Sequence, residues 1–233
     1  MIIKEKNSTQ KIKVCTKSME EILTDCKSWA EEICKTYKPD LIIFIAKSGF
    51  LFAKPMAEVM ECEMADIIAV RPANSKKDKF SKLIKYMPKK IVLEVLRSPF
   101  MYKFNERKKE RDIRITKKFE EEKHKKHKKI LIVDDSVDTG WTLQKVITTV
   151  SETFPGTEIR TASYSVIKYS KHRIKVDYSR YMDVIVLTAT SRKSKEYNEF
   201  IKLYNNWVEN IDNNDCEYEE ENKENNRDAF YCS

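Results

Sequence analysis

Two short runs constrain this chain more than any other feature: Leu41–Ala46 (LIIFIA) and Ile130–Val133 (ILIV). Each is continuously apolar and rich in β-branched residues. A strand with one wet face alternates apolar and polar positions. A strand covered on both faces does not, and double cover is the habit of parallel sheets with helices on each side. Each run is followed by a short polar loop bearing a glycine, then by an apolar stretch, FLFAKPMAEVM after Gly49 and Leu143–Val150 after Gly140. Strand, loop and helix in alternation predict an α/β domain, a doubly wound and mainly parallel sheet flanked by helices. Ala65–Val70, Ile91–Leu96, Ile159–Ile167 and Val184–Leu187 are the further strand candidates. Upstream, Ser18-Met19-Glu20-Glu21 forms a capping box, and Met19, Ile22, Leu23, Cys26, Trp29 and Ile33 follow at helical spacing. That helix should end before Pro39. Tyr197, Phe200, Ile201, Tyr204 and Trp207 have the spacing of a second amphipathic helix, its aromatic stripe read as core packing.

The chain has 233 residues, 41% of them hydrophobic, enough for one ordinary domain with additions. Its longest apolar run is the six residues of LIIFIA, far below the roughly 20 that span a membrane. No basic-then-apolar leader opens it, and its six cysteines contain no CxxC pair. They read as reduced thiols, so the expected location is cytoplasmic, with no membrane partner. Charge is unevenly placed. Residues 211–233 hold eight acids and two bases, whereas residues 71–129 hold 22 Lys and Arg against eight Asp and Glu. A positive field so concentrated points to a polyanion, which includes phosphorylated small molecules and nucleic acid. KHKKHKK (Lys123–Lys129) reads as a solvated loop; His124 and His127 as metal ligands on one helix face are disfavoured by the surrounding cations.

The chemistry concentrates in ILIVDDSVDTGWT, Ile130–Thr142. A buried strand ends in two adjacent carboxylates, and a turn delivers Asp138-Thr139-Gly140-Trp141-Thr142 into a helix start. Ligands of open α/β sheets bind where strands end at their carboxyl side. Small and hydroxyl residues at a helix N-terminus offer backbone N–H groups, two hydroxyls and the positive end of a dipole, which suit a phosphate monoester. Gly140 permits close backbone approach. Asp134 and Asp135 can accept hydrogen bonds from sugar hydroxyls or hold a metal-bound water.

This segment resembles the phosphoribosyl pyrophosphate motif of type I phosphoribosyltransferases: a hydrophobic strand, two acids, two mostly apolar positions, then DTG-x-T. The resemblance implies that Asp134 and Asp135 bind the ribose hydroxyls with Mg²⁺ held through substrate and water. It implies too that Asp138, Thr139, Gly140, Trp141 and Thr142 wrap the 5′-phosphate. Lys47-Ser48-Gly49, after the first buried strand, resembles the family's pyrophosphate loop, with Lys47 acting chiefly through its backbone amide. Glu158–Val186 is similar to the region after the motif in hypoxanthine/guanine/xanthine-type members, where a strand ends in a lysine and an Asp-Tyr pair follows. Lys168 stands there, followed by Asp177-Tyr178. By the same resemblance Lys168 donates to a purine's exocyclic oxygen, and Asp138, near purine N7, is the candidate general base. The chain departs from its relatives beyond that point. They place an aromatic over the base, then an aspartate and an arginine near pyrophosphate. Here Val184–Leu187 is aliphatic and Thr188–Ser191 has no aspartate, which leaves Arg192 as the arginine and Tyr178 or Tyr181 as the stacking ring.

The organisation so expected is an N-terminal helical extension (1–38) and a phosphoribosyltransferase-like core (39–190), whose basic stretch 71–129 supplies a hood and flexible loop. A C-terminal helix (191–210) and an acidic, disordered tail (211–233) follow. Arg97–Arg114 is the expected closing segment, excluding water from the reaction. The favoured activity is Mg²⁺-dependent transfer of ribose 5-phosphate from phosphoribosyl pyrophosphate to a nitrogenous base, a 6-oxopurine. Family members are often dimers, so a homodimer is an expectation carried by resemblance alone. Two alternatives stay open: a donor-sensing regulator that binds nucleic acid with its basic face, and a transferase with an unusual acceptor.

Overall fold

The computed structural model describes residues 12–70, 111–167 and 174–209. The strand expected at Ile91–Leu96, most of the closing segment, Lys168 and the acidic tail lie outside these. The chain divides into two units, residues 1–188 and 189–233. The first holds strands β1 (Lys13–Thr16), β2 (Leu41–Ala46), β3 (Glu63–Val70), β4 (Asp112–Ile115), β5 (Lys129–Val137), β6 (Glu158–Val166), β7 (Tyr178–Met182) and β8 (Val184–Leu187). Its helices are α1 (Met19–Cys34), α2 (Phe50–Met60), α3 (Lys117–Lys123) and α4 (Trp141–Thr153). In the second unit a helix, α5, spans 197–209 and buries Phe200 and Tyr204, as the aromatic spacing predicts.

Six strands form one sheet in the order β4-β3-β2-β5-β6-β7. Only β4 runs antiparallel to its neighbour, so the expected doubly wound, mainly parallel sheet is what forms. The two apolar runs are its centre, with Leu41–Phe44 and Ile130–Val133 completely buried. Alternate residues face opposite layers. Leu41, Ile43, Ile45, Ile130 and Ile132 pack with Phe119 of α3 and with Leu143, Val146 and Val150 of α4. On the other face Phe44 meets Phe50 of α2 at 5.7 Å, and Tyr164 of β6 meets Phe52 of α2 at 4.6 Å and Trp29 of α1 at 6.3 Å.

The Ser18 capping box forms as its sequence predicts: the Ser18 hydroxyl accepts from the Glu21 N–H, and the Glu21 carboxylate accepts from the Ser18 N–H. α1 stops at Cys34, and Tyr37 then reaches under the sheet. Its hydroxyl donates across the carbonyls of Ile130 and Glu158, at 2.9 and 2.8 Å. With Ile22, Cys26, Trp29, Ala30 and Ile33 buried, α1 is a layer of the domain and not an appendage to it.

Asp25 fastens α1 to the sheet edge. Its carboxylate accepts from the Lys17 ammonium at 2.9 Å, the Tyr164 hydroxyl at 2.7 Å and the Tyr181 hydroxyl at 2.9 Å. Nε and Nη2 of Arg180 complete the set at 2.9 and 2.7 Å. Burial alone would push this carboxyl up, but the donors outweigh it and hold the group well below the usual carboxylate range. Asp25→Ala should therefore cost about 3 kcal/mol, because it removes the Lys17 counter-ion and two tyrosine acceptors together and leaves Arg180 only the more exposed Glu32. Denaturant midpoints check this. A depressed carboxyl stabilises the fold above its unfolded pKa, so the gap between the proteins should close as pH falls below about 4.

Two expectations need correction. Val184–Leu187 is a strand, but it does not join the main sheet. β8 pairs in parallel with β1, from Lys13 opposite Val184 to Thr16 opposite Leu187, as a separate two-stranded sheet. The KHKKHKK stretch is also not wholly solvated. The His127 side chain is 6% exposed, its Nε2 3.1 Å from Glu122 Oε2 and its Nδ1 3.5 Å from Asp40 Oδ1. Its ring stands edge-on to Phe154 at 5.7 Å. His124 is exposed in the loop after α3, so the two histidines share no helix face.

Candidate functional site

From β2 the chain proceeds to β3 on one side of the sheet, and from β5 to β6 on the other. The gap between the carboxyl ends of β2 and β5 is therefore the topological switch point, where crossovers diverge and leave a crevice. Two loops meet there: Lys47-Ser48-Gly49 after β2, and Asp138-Thr139-Gly140 after β5. A cavity of about 340 Å³ opens between them.

β5 reaches further than its apolar run predicts, continuing to Val137, with Asp134, Ser136 and Val137 in register with β6. Successive residues of a strand point to opposite faces, yet both carboxylates line the cavity because β5 ends at its rim. Asp134 is buried, and its Oδ1 accepts from the Asp135 N–H at 2.9 Å. Burial first, and then the charge of Asp135, holds the Asp134 carboxyl well above the ordinary range. Asp135 is raised too, again by burial, with hydrogen bonds from the Ser48 side chain and Ser136 working the other way. Ser48 thus ties the first loop to the acidic pair.

Gly49 lets the first loop lie close against the backbones of β2 and β5. A Cβ built there would lie 2.7 Å from the Ile45 carbonyl oxygen and 3.1 Å from that of Val133. Both obstacles are backbone, so no side-chain rotation relieves them. Gly49→Ala should push the loop off the sheet, cost about 2 kcal/mol, and weaken ligand binding by displacing Ser48. Thermal unfolding and calorimetry read the two effects separately.

Gly140 carries the second loop into α4. Its φ of 76° lies in the left-handed region, where a side chain costs about 1–2 kcal/mol, and its carbonyl accepts from the Gln144 N–H at 2.8 Å. The first N–H groups of α4 have no partner within the helix, and this turn lies at the cavity with the hydroxyl-bearing Thr139 and Thr142 in its lining. Asp138, Thr139, Gly140 and Thr142 line the cavity; Trp141 is half-buried beside it and is not among the lining residues.

The structure thus brings together Ser48, Asp134, Asp135, Asp138, Thr139, Gly140 and Thr142. Lys47 is exposed, behind a cis Ala46–Lys47 peptide, and does not line the cavity. Gly49 sits beneath the loop. Tyr178 and Tyr181 are elsewhere: the Tyr178 hydroxyl accepts from Arg160 at 2.7 Å, and that of Tyr181 is held by Asp25. Both phenols serve to hold β7, so the stacking role expected of them finds no support in the cavity wall. Arg192 is an exposed residue of the second unit. One charged lining residue lies in the expected closing segment but was singled out by no motif. Arg111, just before β4, donates through Nε to the Thr142 hydroxyl at 3.2 Å. Locally it is one of 22 bases in a basic stretch, and only the antiparallel pairing of β4 with β3 carries it here.

An open α/β sheet with an acidic pair and a phosphate-cradling helix start at its switch point defines a nucleotide- or sugar-phosphate-binding protein. The family follows from comparison: the model of the phosphoribosyl transferase domain matches residues 17–186, most of the chain. The chain belongs to the phosphoribosyl transferase family and is accordingly a phosphoribosyltransferase, an enzyme that moves a phosphoribosyl group to a base. The matched stretch takes in α1, which the motifs alone left outside. Among solved structures it is similar to the purine phosphoribosyltransferase from Pyrococcus horikoshii Ot3, with 18% identity, a TM-score of 0.50 and coverage of 75% of this chain and 92% of that one. A hypothetical protein from Neisseria gonorrhoeae with bound ppGpp is similar at 13% identity and TM-score 0.52, covering 84% of this chain and 98% of that one. At these identities the likeness speaks for the fold. No curated protein sequence matches.

Proposed function

We propose that this enzyme transfers ribose 5-phosphate from phosphoribosyl pyrophosphate to a 6-oxopurine, with Mg²⁺, releasing pyrophosphate. The observation that carries the reading is one cavity at the switch point holding the acidic pair, Asp138 and the first turn of α4. Asp134 and Asp135 accept from the two ribose hydroxyls, and the hydroxyls and backbone N–H groups of residues 139–142 hold the 5′-phosphate. Lys47 through its backbone amide and Ser48 through its hydroxyl supply donors to the pyrophosphate, while Gly49, whose own N–H is taken by the Ile45 carbonyl, lets the loop lie close to the sheet. Lys168 donates to the exocyclic oxygen of the base.

The donor set suits Mg²⁺ in one form only. Among the described residues no group of three or more His, Cys, Asp and Glu is placed to hold a metal, but two crowded carboxylates, one buried, stand side by side. Mg²⁺ commonly takes one or two carboxylates and fills its shell with substrate oxygens and water. Asp134 and Asp135 would hold it in that way, and it would neutralise charge on the leaving pyrophosphate.

The reaction needs no covalent enzyme intermediate. The base nitrogen bonds to the anomeric carbon as the carbon–oxygen bond to pyrophosphate breaks, and the leaving oxygen takes the electron pair. Asp138 accepts the proton that the base nitrogen loses. The remaining work is positioning and charge stabilisation, done by loops fixed on rigid strands. The test is nucleotide formation, followed by chromatography, with Mg²⁺, phosphoribosyl pyrophosphate and a panel of purine and pyrimidine bases. Product from hypoxanthine, guanine or xanthine supports the reading. Product from another base alone replaces the acceptor, and donor binding with no product from any base favours the sensor.

A further inference from the structure

We propose that Arg111 is a second grip on the donor's 5′-phosphate, an arginine added to a loop that otherwise relies on N–H groups and hydroxyls. The inference rests on the function proposed above and adds a residue to its site. The electrostatics of the cavity call for such a group. Its wall carries three carboxylates, Asp134, Asp135 and Asp138, against a helix start worth about half a positive charge. A phosphate dianion entering there meets repulsion that backbone dipoles offset only in part. Arg111 is the sole basic side chain among the described residues that line the cavity.

Its position is specific. Val70, the last residue of β3, pairs with Asp112, the first of β4, so Arg111 lies above the carboxyl end of the sheet. From there its Nε donates to Thr142 Oγ1, the hydroxyl in the first turn of α4. A phosphate seated on that turn and bonded to the Thr142 hydroxyl lies within one guanidinium width of Arg111. The planar fork can then offer parallel N–H donors to two phosphate oxygens, which a lysine cannot do. The contact with Thr142 holds the guanidinium pointed at the seat before the phosphate arrives, which lowers the cost of ordering a long side chain.

The experiment compares the full-length protein with Arg111→Gln and Arg111→Lys, using two probes measured by calorimetry and by tryptophan fluorescence. Ribose 5-phosphate carries the 5′-phosphate alone; inorganic pyrophosphate with Mg²⁺ carries none. Arg111→Gln should weaken ribose 5-phosphate at least tenfold and leave pyrophosphate within twofold, with Arg111→Lys in between. A brace joining β4 to α4 would behave differently, lowering the melting temperature and shifting both ligands together. Equal loss of both probes, or wild-type affinity for ribose 5-phosphate in Arg111→Gln, overturns the assignment while leaving the transferase reading intact. Failure of the unaltered protein to bind either ribose 5-phosphate or phosphoribosyl pyrophosphate overturns both.

Discussion

With asparagine at position 138, the enzyme should still bind phosphoribosyl pyrophosphate and make almost no nucleotide. Asp138 lines the cavity between the acidic pair and the start of α4, on a loop pinned by the Ile167 N–H donating to the Val137 carbonyl at 3.0 Å. Asparagine has the same size and cannot take up a proton. A positioned general base is worth about 10²–10⁴ in rate, so kcat should fall by that range. Donor affinity should stay within roughly tenfold, about 1.4 kcal/mol, because the phosphate and ribose contacts belong to other residues. Single-turnover assays and calorimetry separate the two quantities. Unchanged kcat would remove Asp138 from the proton transfer, and a donor affinity that fell as far as kcat would make it a binding residue.

Asp134→Asn should do the reverse to stability: the variant melts higher than the parent and binds its donor worse. The parent keeps a buried carboxylate beside a second one, and a raised folded pKa has a definite sign. Such a group favours folding below its unfolded pKa and loses that contribution as pH rises through the folded value. At neutral pH it therefore works against the fold. Asparagine removes the charge and keeps an oxygen to accept from the Asp135 N–H. A gain of about 1 kcal/mol, or about 2–4 °C in melting temperature, is expected at pH 7 and should vanish near pH 4. Donor affinity should drop at least tenfold in the same protein. A lower melting temperature at pH 7 would mean that the carboxylate pair is stabilised by something the cavity wall does not reveal.

Function and stability thus pull apart at one residue, and that pattern was partly visible in the chain. ILIVDD announces a buried strand that ends in charge, a combination folding does not favour unless a ligand uses it. LIIFIA and ILIV, the capping box at Ser18 and the DTGWT turn are local signals, and each appears in the structure where its residues predict. Pairing between distant segments has no local signal. KVCT and DIRI are four residues long, too short and too polar to declare themselves, yet they are β1 and β4. VIVL has the composition of a central strand but ends up beside KVCT. His127 looked solvated because its sequence neighbours are lysines, whereas its spatial neighbours are Glu122, Asp40 and Phe154. The contacts of Arg111, Tyr178 and Tyr181 were hidden for a like reason: their partners Thr142, Arg160 and Asp25 lie far away in sequence and meet them only through the fold.

The parallel pair of β1 and β8 also bears on the order in which the molecule can be completed. Within the described residues, the strand made first has the strand made last as its sole partner, and the Lys17 N–H closes the pair on the Leu187 carbonyl at 3.0 Å. During synthesis the large sheet can assemble progressively as its strands emerge. Residues 13–16 cannot join in, and they wait with an open edge until the ribosome has released residue 187.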